Sequence, residues 1–347
     1  MKRLQGLYIL DRSAFELVYG PQEQQDIARW VEMVAPPRTR QSIAADASLL
    51  AAAEVIFTGW GGPLIDERFL QAAPRLKAIF HGAGAAGPIL TDAVWARGIE
   101  VTTAYAANAV PVAEYTLATI LFSLKHGWQL ARQVREERAF PDRHGHAGPG
   151  CYGSAIGLVS MGMVARTLLR MLEPFELRVL AYDPFLTDGE AQALGVERVS
   201  LDELFRTSDV VSLHTPLLPE TRGLITGEHV ASMRPGATLI NTARGQIIRE
   251  RQMLDVLARR PDLQAVLDVA EREPPDRNSP LYTLPNVVLT PHLAGSIGAE
   301  CRRMGRYMVD ELQRYVSGKP LKWAVTPELA RWTTHRPKTR RAARLPA

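Results

Sequence analysis

Along most of the chain, short apolar runs alternate with longer segments whose apolar positions recur every three to four residues. The first pattern is that of buried strands and the second that of amphipathic helices. Their alternation predicts a parallel sheet covered by helices. In the first third, "LYIL", "AEVIFT", "LKAIF" and "GIEVTT" read as strands, with "FLQAAP" and "TDAVWARG" as short helices between them. "PVAEYTLATILFSLKHGWQLARQV" is apolar at helical spacing and free of Gly until Gly127, so it predicts one long helix after the loop "YAANAV". A helix of that length reads as a bridge between domains. From residue 155 the pattern becomes regular. "AIGLVS", "LRVLAYD", "DVVSLH", "ATLIN", "QAVLDV" and "NVVLT" are strand candidates rich in Val, Ile and Leu, as strands buried on both faces are. "VARTLLRMLEPF", "SLDELFRTS", "TGEHVASM" and "RERQMLDVLARR" carry helical signals between them. "IGAECRRMGRYMVDELQRYVSG" reads as one amphipathic helix ending at Gly318, expected to pack back on the first domain.

At 347 residues the chain is long for one core, which points to two domains. No stretch approaches the roughly 20 apolar residues of a membrane span. The start, "MKRLQGLYILDRSAF", is basic and then apolar, but Asp11 cuts the run short, so a first strand fits better than a signal peptide. Cys151 and Cys301 stand far apart, as in a reduced, cytoplasmic protein without structural disulfides. The net charge of +4 is a property of one end: six of the 41 basic residues lie from Arg331 onward, where there is no acid. The body then has 35 basic against 37 acidic residues, and implies neither a nucleic-acid nor a membrane partner. Residues 331–347 are expected to form a disordered basic tail. His144 and His146, in "FPDRHGHAGPGCYGS", lack acidic or sulfur partners nearby, so no metal is expected.

In open α/β sheets ligands bind beyond the carboxyl ends of the strands. That edge collects Ser160-Met161-Gly162 after "AIGLV", Asp183 after "LRVLAY" and His214-Thr215-Pro216 after "VVSL". It also collects Thr242-Ala243-Arg244-Gly245 after "ATLIN", then Asp268, Glu271 and Glu273, and His292 after "NVVLTP". Residues 160–165, S-M-G-M-V-A, stand where a dinucleotide fingerprint wants G-x-G-x-x-G/A. Gly162 occupies the second position, where a side chain would block the pyrophosphate, and Ala165 is small enough for helix to pack on sheet. Ser160 is the departure, and it costs the freedom of a glycine at a tight turn. Asp183, a little over 20 residues on, is placed to bond the adenosine ribose, which favours NAD over NADP.

"NTARG", "LDVAEREPP", "NVVLTPHLAGS" and "SLHTPLLPETRGLI" together resemble the D-isomer-specific 2-hydroxyacid dehydrogenase family, from about Leu76 to Gly318. The resemblance implies an α/β fold of two doubly wound domains, a Rossmann NAD-binding domain inserted into a flavodoxin-like substrate domain. The expected division is 1–112 and 296–330 for the substrate domain and 113–295 for the NAD-binding domain. It implies an NAD-dependent oxidoreductase that moves a hydride between nicotinamide and a small 2-hydroxy or 2-keto acid. His292 would be the general acid/base, Glu273 rather than Glu271 would orient it, and Arg244 would grip the substrate carboxylate. Cofactor contacts would come from Ser160, Gly162, Met163 and Val164 at the pyrophosphate, and from Asp183. Thr215 and Pro216 would lie beside the adenosine, with His214 and Thr221 in the same motif. Thr242, Ala243 and Arg244 would follow, with Asp268 near the nicotinamide amide, and His292 and Gly295. In "HGAGAAG", Ala83 and Gly84 resemble the family's backbone cradle for the substrate carboxylate. Trp60 would limit substrate size, and Asn108 matches the family's hinge. Relatives dimerise through the NAD-binding domain, so a homodimer is expected, with the long helix near residue 120 as the contact.

Three positions depart from the family. Ala86 stands where relatives have Asp, Met163 where many have Arg, and Ser160 where they have Gly. The two losses at one turn predict weaker NAD binding. Formate dehydrogenase shares the fold but carries Gln where Glu273 stands. An NAD-sensing co-repressor would keep the same residues and differ in showing little turnover. The particular acid and the preferred direction of reaction are not legible in these motifs.

Overall fold

The structure, a computed structural model, describes residues 3–87, 89–142 and 148–333. It divides into two compact units. One takes the residues up to Asn108 together with those from Ile297 onward, and the other runs from Ala109 to Ser296. The second unit is therefore inserted into the first. The first boundary falls four residues before the expected 112/113 and the second one residue after 295/296.

The first unit holds five parallel strands: β1 (Leu4–Ile9), β2 (Val31–Met33), β3 (Val55–Thr58), β4 (Ala78–His81) and β5 (Glu100–Thr103). Their order, β2-β1-β3-β4-β5, is the flavodoxin-like one. Alternation along each strand feeds two cores. Leu7, Ile9, Ile56 and Ile79 face one side with Leu70 and Val94. Tyr8, Leu10, Phe57 and Phe80 face the other, against Met304, Met308 and Leu312. Those last residues belong to the helix Cys301–Val316, which packs on the first unit as its sequence implied. It starts at Cys301, after a 3₁₀ turn over Gly298–Glu300. Its buried Glu311 accepts hydrogen bonds from the Thr102 hydroxyl (3.0 Å) and the Trp323 N–H (2.9 Å), pinning the returning chain to β5. β2 was not read from the sequence: it is three residues long and buries only Val31. The final helix covers Pro327–Thr333, and the rest of the expected tail, like His144 and His146, lies outside the described residues.

The second unit holds seven parallel strands: β6 (Ala155–Val159), β7 (Arg178–Tyr182), β8 (Glu197–Arg198), β9 (Val210–Leu213), β10 (Thr238–Asn241), β11 (Gln264–Leu267) and β12 (Val287–Leu289). Their order, β12-β11-β10-β9-β6-β7-β8, is the Rossmann order extended by one strand. β6, β9, β10 and β11 are buried throughout, and their side chains divide between cores on the two faces. At Gly157 the helix Leu201–Thr207 comes so close that a Cβ would meet Leu204 and Ser208 at 2.5 Å. β8, two exposed residues at the sheet edge, carried no apolar signal.

The expected single helix over 111–134 is two. The first runs Tyr105–Ser123, absorbing the predicted loop, with Pro111 inside it; the second runs Gly127–Glu137 at 57° to the first. The break is at His126, whose φ of 51° takes it out of the helical region while its Nε2 contacts the Gly236 carbonyl at 3.1 Å. Apolar periodicity runs unbroken through this bend, so the sequence pattern could not show it. Among the described residues no single helix is long and apolar enough to cross a membrane.

Candidate active site

The strand order of the second unit reverses between β6 and β9, and the crevice beyond their carboxyl ends is where a dinucleotide binds in such sheets. Ser160 leaves β6 with φ 73°, the left-handed conformation a glycine would adopt freely. Its N–H donates to the Tyr182 carbonyl (2.7 Å), and its hydroxyl lies 3.0 Å from that of Thr215 at the end of β9. Asp183 braces the same turn, accepting from the Met161 N–H (2.8 Å) and the Phe185 N–H (2.8 Å). Gly162 is the N-cap of the helix Met163–Leu172, offers no side-chain cap, and has no atom within 4 Å of where a Cβ would stand. An uncapped helix start with open space before it suits a pyrophosphate, so the turn fits the dinucleotide despite Ser160. Met163 and Val164 form its first turn.

Further along the edge, Thr215 is buried, and Thr221 accepts the Leu218 N–H (2.8 Å) while donating to the Pro216 carbonyl (2.6 Å). His214 sits 3.1 Å through Nε2 from the Ser212 hydroxyl, and its buried Nδ1 has no partner among the described residues. Burial holds its pKa down at about 4, so the ring is neutral.

At the end of β10, buried Asn241 ties the next turn from both sides. It accepts the Ala243 N–H (3.0 Å) and donates to the Arg244 carbonyl (3.0 Å). Arg244 is exposed and donates through Nη1 to the Ala243 carbonyl (2.6 Å). A Cβ on Gly245 would fall on the Ala270 backbone, so this turn lies directly on the loop after β11.

That loop and the one after β12 bring two expected residues together. His292 Nδ1 is 2.7 Å from Glu273 Oε2, with both side chains part-exposed at 47% and 40%. Glu271 is engaged elsewhere through its backbone, where its N–H donates to Glu250 (2.8 Å) and its carbonyl accepts from Gln246 (2.7 Å). The carboxylate of Asp268, 2% exposed, accepts the Leu293 N–H (2.8 Å), the Ala294 N–H (2.9 Å) and the Thr290 hydroxyl (2.6 Å). His292, at φ 54°, donates its own N–H to the Asp268 carbonyl (2.9 Å). Gly295 closes this loop before buried Ser296. Asn241, Thr290 and Tyr115 escaped the sequence reading. Asn241 and Thr290 do stand at strand ends, which is a signal; Tyr115 is hidden in an apolar helix.

In the first unit, the order reverses between β1 and β3, and Trp60 lies there, 40% exposed, its carbonyl accepting the Asp11 N–H (2.9 Å). Beyond β4, buried His81 accepts at Nδ1 from the Thr58 hydroxyl (2.7 Å) and donates from Nε2 to the Ala85 carbonyl (3.2 Å). That assignment follows from a pKa held at about 4 by burial, which keeps the ring neutral. The bond fixes the loop containing Ala83 and Gly84, and Asn108 packs on Gly84 so closely that a Cβ would meet its Nδ2 at 3.0 Å. Ala86, in place of the family's Asp, is buried in the core. Among the described residues no cluster of three His, Cys, Asp or Glu side chains could hold a metal ion.

Residues 117–294 match the family described as "D-isomer specific 2-hydroxyacid dehydrogenase, NAD binding domain". The chain is 37% identical over 251 residues to the (S)-sulfolactate dehydrogenase of Chromohalobacter salexigens, covering 72% of this chain and 81% of that protein. It is 33% identical over 261 residues to the D-3-phosphoglycerate dehydrogenase of Archaeoglobus fulgidus, covering 75% and 49%. The chain thus spans about half the length of the phosphoglycerate dehydrogenases it matches. A phosphoglycerate oxidoreductase from Rhizobium etli has a similar fold, with a TM-score of 0.77, 22% identity and coverage of 93% and 98%.

Proposed function

The chain belongs to the D-isomer specific 2-hydroxyacid dehydrogenase family and carries its NAD-binding domain. From that premise we propose that it is an NAD-dependent oxidoreductase acting on a small D-2-hydroxy acid or the corresponding 2-keto acid. The observation that carries the proposal is the 2.7 Å contact of His292 with Glu273. A carboxylate at Nδ1 fixes the proton there, which leaves Nε2 as the nitrogen that exchanges a proton with substrate. In oxidation Nε2 takes the hydroxyl proton as the C–H bond gives up its electron pair; in reduction the imidazolium returns a proton to the carbonyl oxygen. Glu273 stabilises the imidazolium between these events. When bound, the nicotinamide accepts or returns the hydride.

Arg244 supplies a planar fork for the α-carboxylate, held by the Asn241 bracket. Gly162, Met163 and Val164 offer the backbone for the pyrophosphate, and Asp183 the carboxylate for the ribose. Ser160 belongs to the same pyrophosphate turn, and His214, Thr215, Pro216 and Thr221 line the adenosine side. Thr242, Ala243 and Gly295 border the nicotinamide side, where Asp268 Oδ2, with one acceptor position left after Ala294, suits its amide. In the first unit, Trp60 and the Ala83–Gly84 loop are the proposed substrate contacts.

On the helix Gly127–Glu137, Trp128 packs on Phe122 and on the core of the second unit, while Leu130 and Val134 are only part-buried, and Phe140 just beyond is 92% exposed. Such a surface suits a second copy of the chain, so we assign a homodimer through the second unit. Light scattering should give twice the chain mass, and the pair of changes Leu130→Glu and Val134→Glu should reduce it to one. Cys151 and Cys301 form no disulfide, which suits a reducing compartment, the cytoplasm. The activity is tested by following NADH oxidation against 2-keto acids of graded size. Turnover abolished by His292→Ala supports it; NADH binding without turnover on any acid would sink it.

A further inference from the structure

Behind the His292 loop stands a run of hydroxyls to which no role has been given. Thr290 Oγ1 lies 2.6 Å from Asp268 Oδ1 and 2.9 Å from the Tyr115 hydroxyl. The direction of the protons follows from the carboxylate, which can only accept. Thr290 therefore donates to Asp268, and its oxygen accepts from Tyr115. Burial raises the pKa of the Tyr115 hydroxyl, the Thr290 bond opposes this and the Asp268 charge adds to it, so Tyr115 stays a donor. Asp268 in turn accepts the N–H groups of Leu293 and Ala294, and its carbonyl accepts that of His292. The run is continuous from Tyr115 to the backbone that carries His292.

That backbone is held in a conformation, φ 54°, that a histidine keeps only where its surroundings impose it. The neighbour of Tyr115 reaches the next loop: Thr116 Oγ1 is 3.2 Å from the Thr242 hydroxyl, two residues before Arg244. Both residues stand on one turn of the helix Tyr105–Ser123. We infer that Tyr115 and Thr290 are positioning residues that, through Asp268, fix the placement of His292. The effect on rate rests on the dehydrogenase reading above; the effect on the loop does not.

Thr290→Val keeps the shape and removes the hydroxyl, and Thr290→Ser restores it. In Thr290→Val, amide hydrogen exchange across residues 290–296 should quicken about ten-fold, the worth of one ordinary hydrogen bond, while the rest of the second unit stays as protected as before. kcat should fall about ten-fold with the KM for NADH nearly unchanged. Thr290→Ser should recover both, and Tyr115→Phe should act in the same sense by about three-fold. Unchanged exchange over 290–296, loss of protection spread evenly over the second unit, or local loss with an unaltered kcat would each overturn the inference. Should the wild-type protein turn over no keto acid, the dehydrogenase reading fails, and the exchange measurement alone decides whether these hydroxyls hold the loop.

Discussion

The turn after β6 and the loop after β12 each hold a side-chain-bearing residue in left-handed backbone, Ser160 at φ 73° and His292 at φ 54°. Their support differs. The His292 loop hangs on a buried carboxylate with three donors, one of them the Thr290 hydroxyl, which is itself backed by the hydroxyl of Tyr115. Ser160 has one short backbone bond and one hydroxyl contact, its turn is braced by the part-buried carboxylate of Asp183 at the Met161 N–H, and the Gly162 that follows faces open space. Each left-handed residue costs on the order of 1–2 kcal/mol. At His292 that cost places a chemical group. At Ser160 it is what remains when a serine takes a glycine's backbone, and the turn keeps its shape at the expense of stability. On the proposed function, the site absorbs a worn motif in its binding half while its reacting half stays tightly determined.

The sharpest way to test the contrast is to remove the side chain proposed to exchange the proton. His292→Gln should lower kcat by about 10²–10⁴ while NADH still binds, since only proton transfer is lost. A fall in NADH affinity of the same size would show that the loop serves binding instead. Asp268→Asn comes next. It turns an amide N–H against a backbone N–H and should take about 2–3 kcal/mol from the unfolding free energy, measured in urea. A change under about 0.5 kcal/mol would erase the difference in support between loop and turn. At the turn, Gly162→Ala meets no protein atom, so the melting midpoint should hold while the Kd for NADH rises about ten-fold as the methyl meets the pyrophosphate. Equal affinity would place the cofactor elsewhere. The smallest effect is Ser160→Gly, which should raise the melting midpoint and tighten NADH binding a few-fold by releasing strain. Weaker binding would mean that the Ser160–Thr215 contact matters more than the strain it accompanies.

Much of this was legible in the sequence, for reasons that differ between elements. β6, β9, β10 and β11 are buried throughout and so wrote apolar runs that could be read directly, and the residues at their ends gave the candidate site. β2 and β8 were too short and exposed to leave a pattern. The break at His126 is a single backbone angle inside unbroken helical periodicity, invisible to any count of apolar spacing. The resemblance to the family singled out Glu273 over Glu271, and the structure places Glu273 against His292, while the Glu271 backbone bonds to Gln246 and Glu250. Asp268 was read as a nicotinamide contact, yet most of its hydrogen bonding goes to the loop, a relation between residues more than twenty apart that pattern cannot supply. Tyr115 lay in a stretch whose apolar character drew attention away from its hydroxyl.

The insertion of one unit into the other sets an order of assembly. The core of the first unit joins Leu10, Val18 and Ile27 to Met304, Met308 and Leu312, so it lacks one wall until residue 312 has left the ribosome. At the usual pace of synthesis, the stretch after Asn108 takes about 10–40 s, during which Phe57 and Phe80 are only partly covered on that side, by Val18, Tyr19 and their neighbours. The second unit draws its cores only from residues 113–289 and can close first. A chain stopped at Ser296 should therefore resist protease from Ala109 onward while its first hundred residues are digested, and newborn protein should depend on chaperones for its beginning rather than its middle.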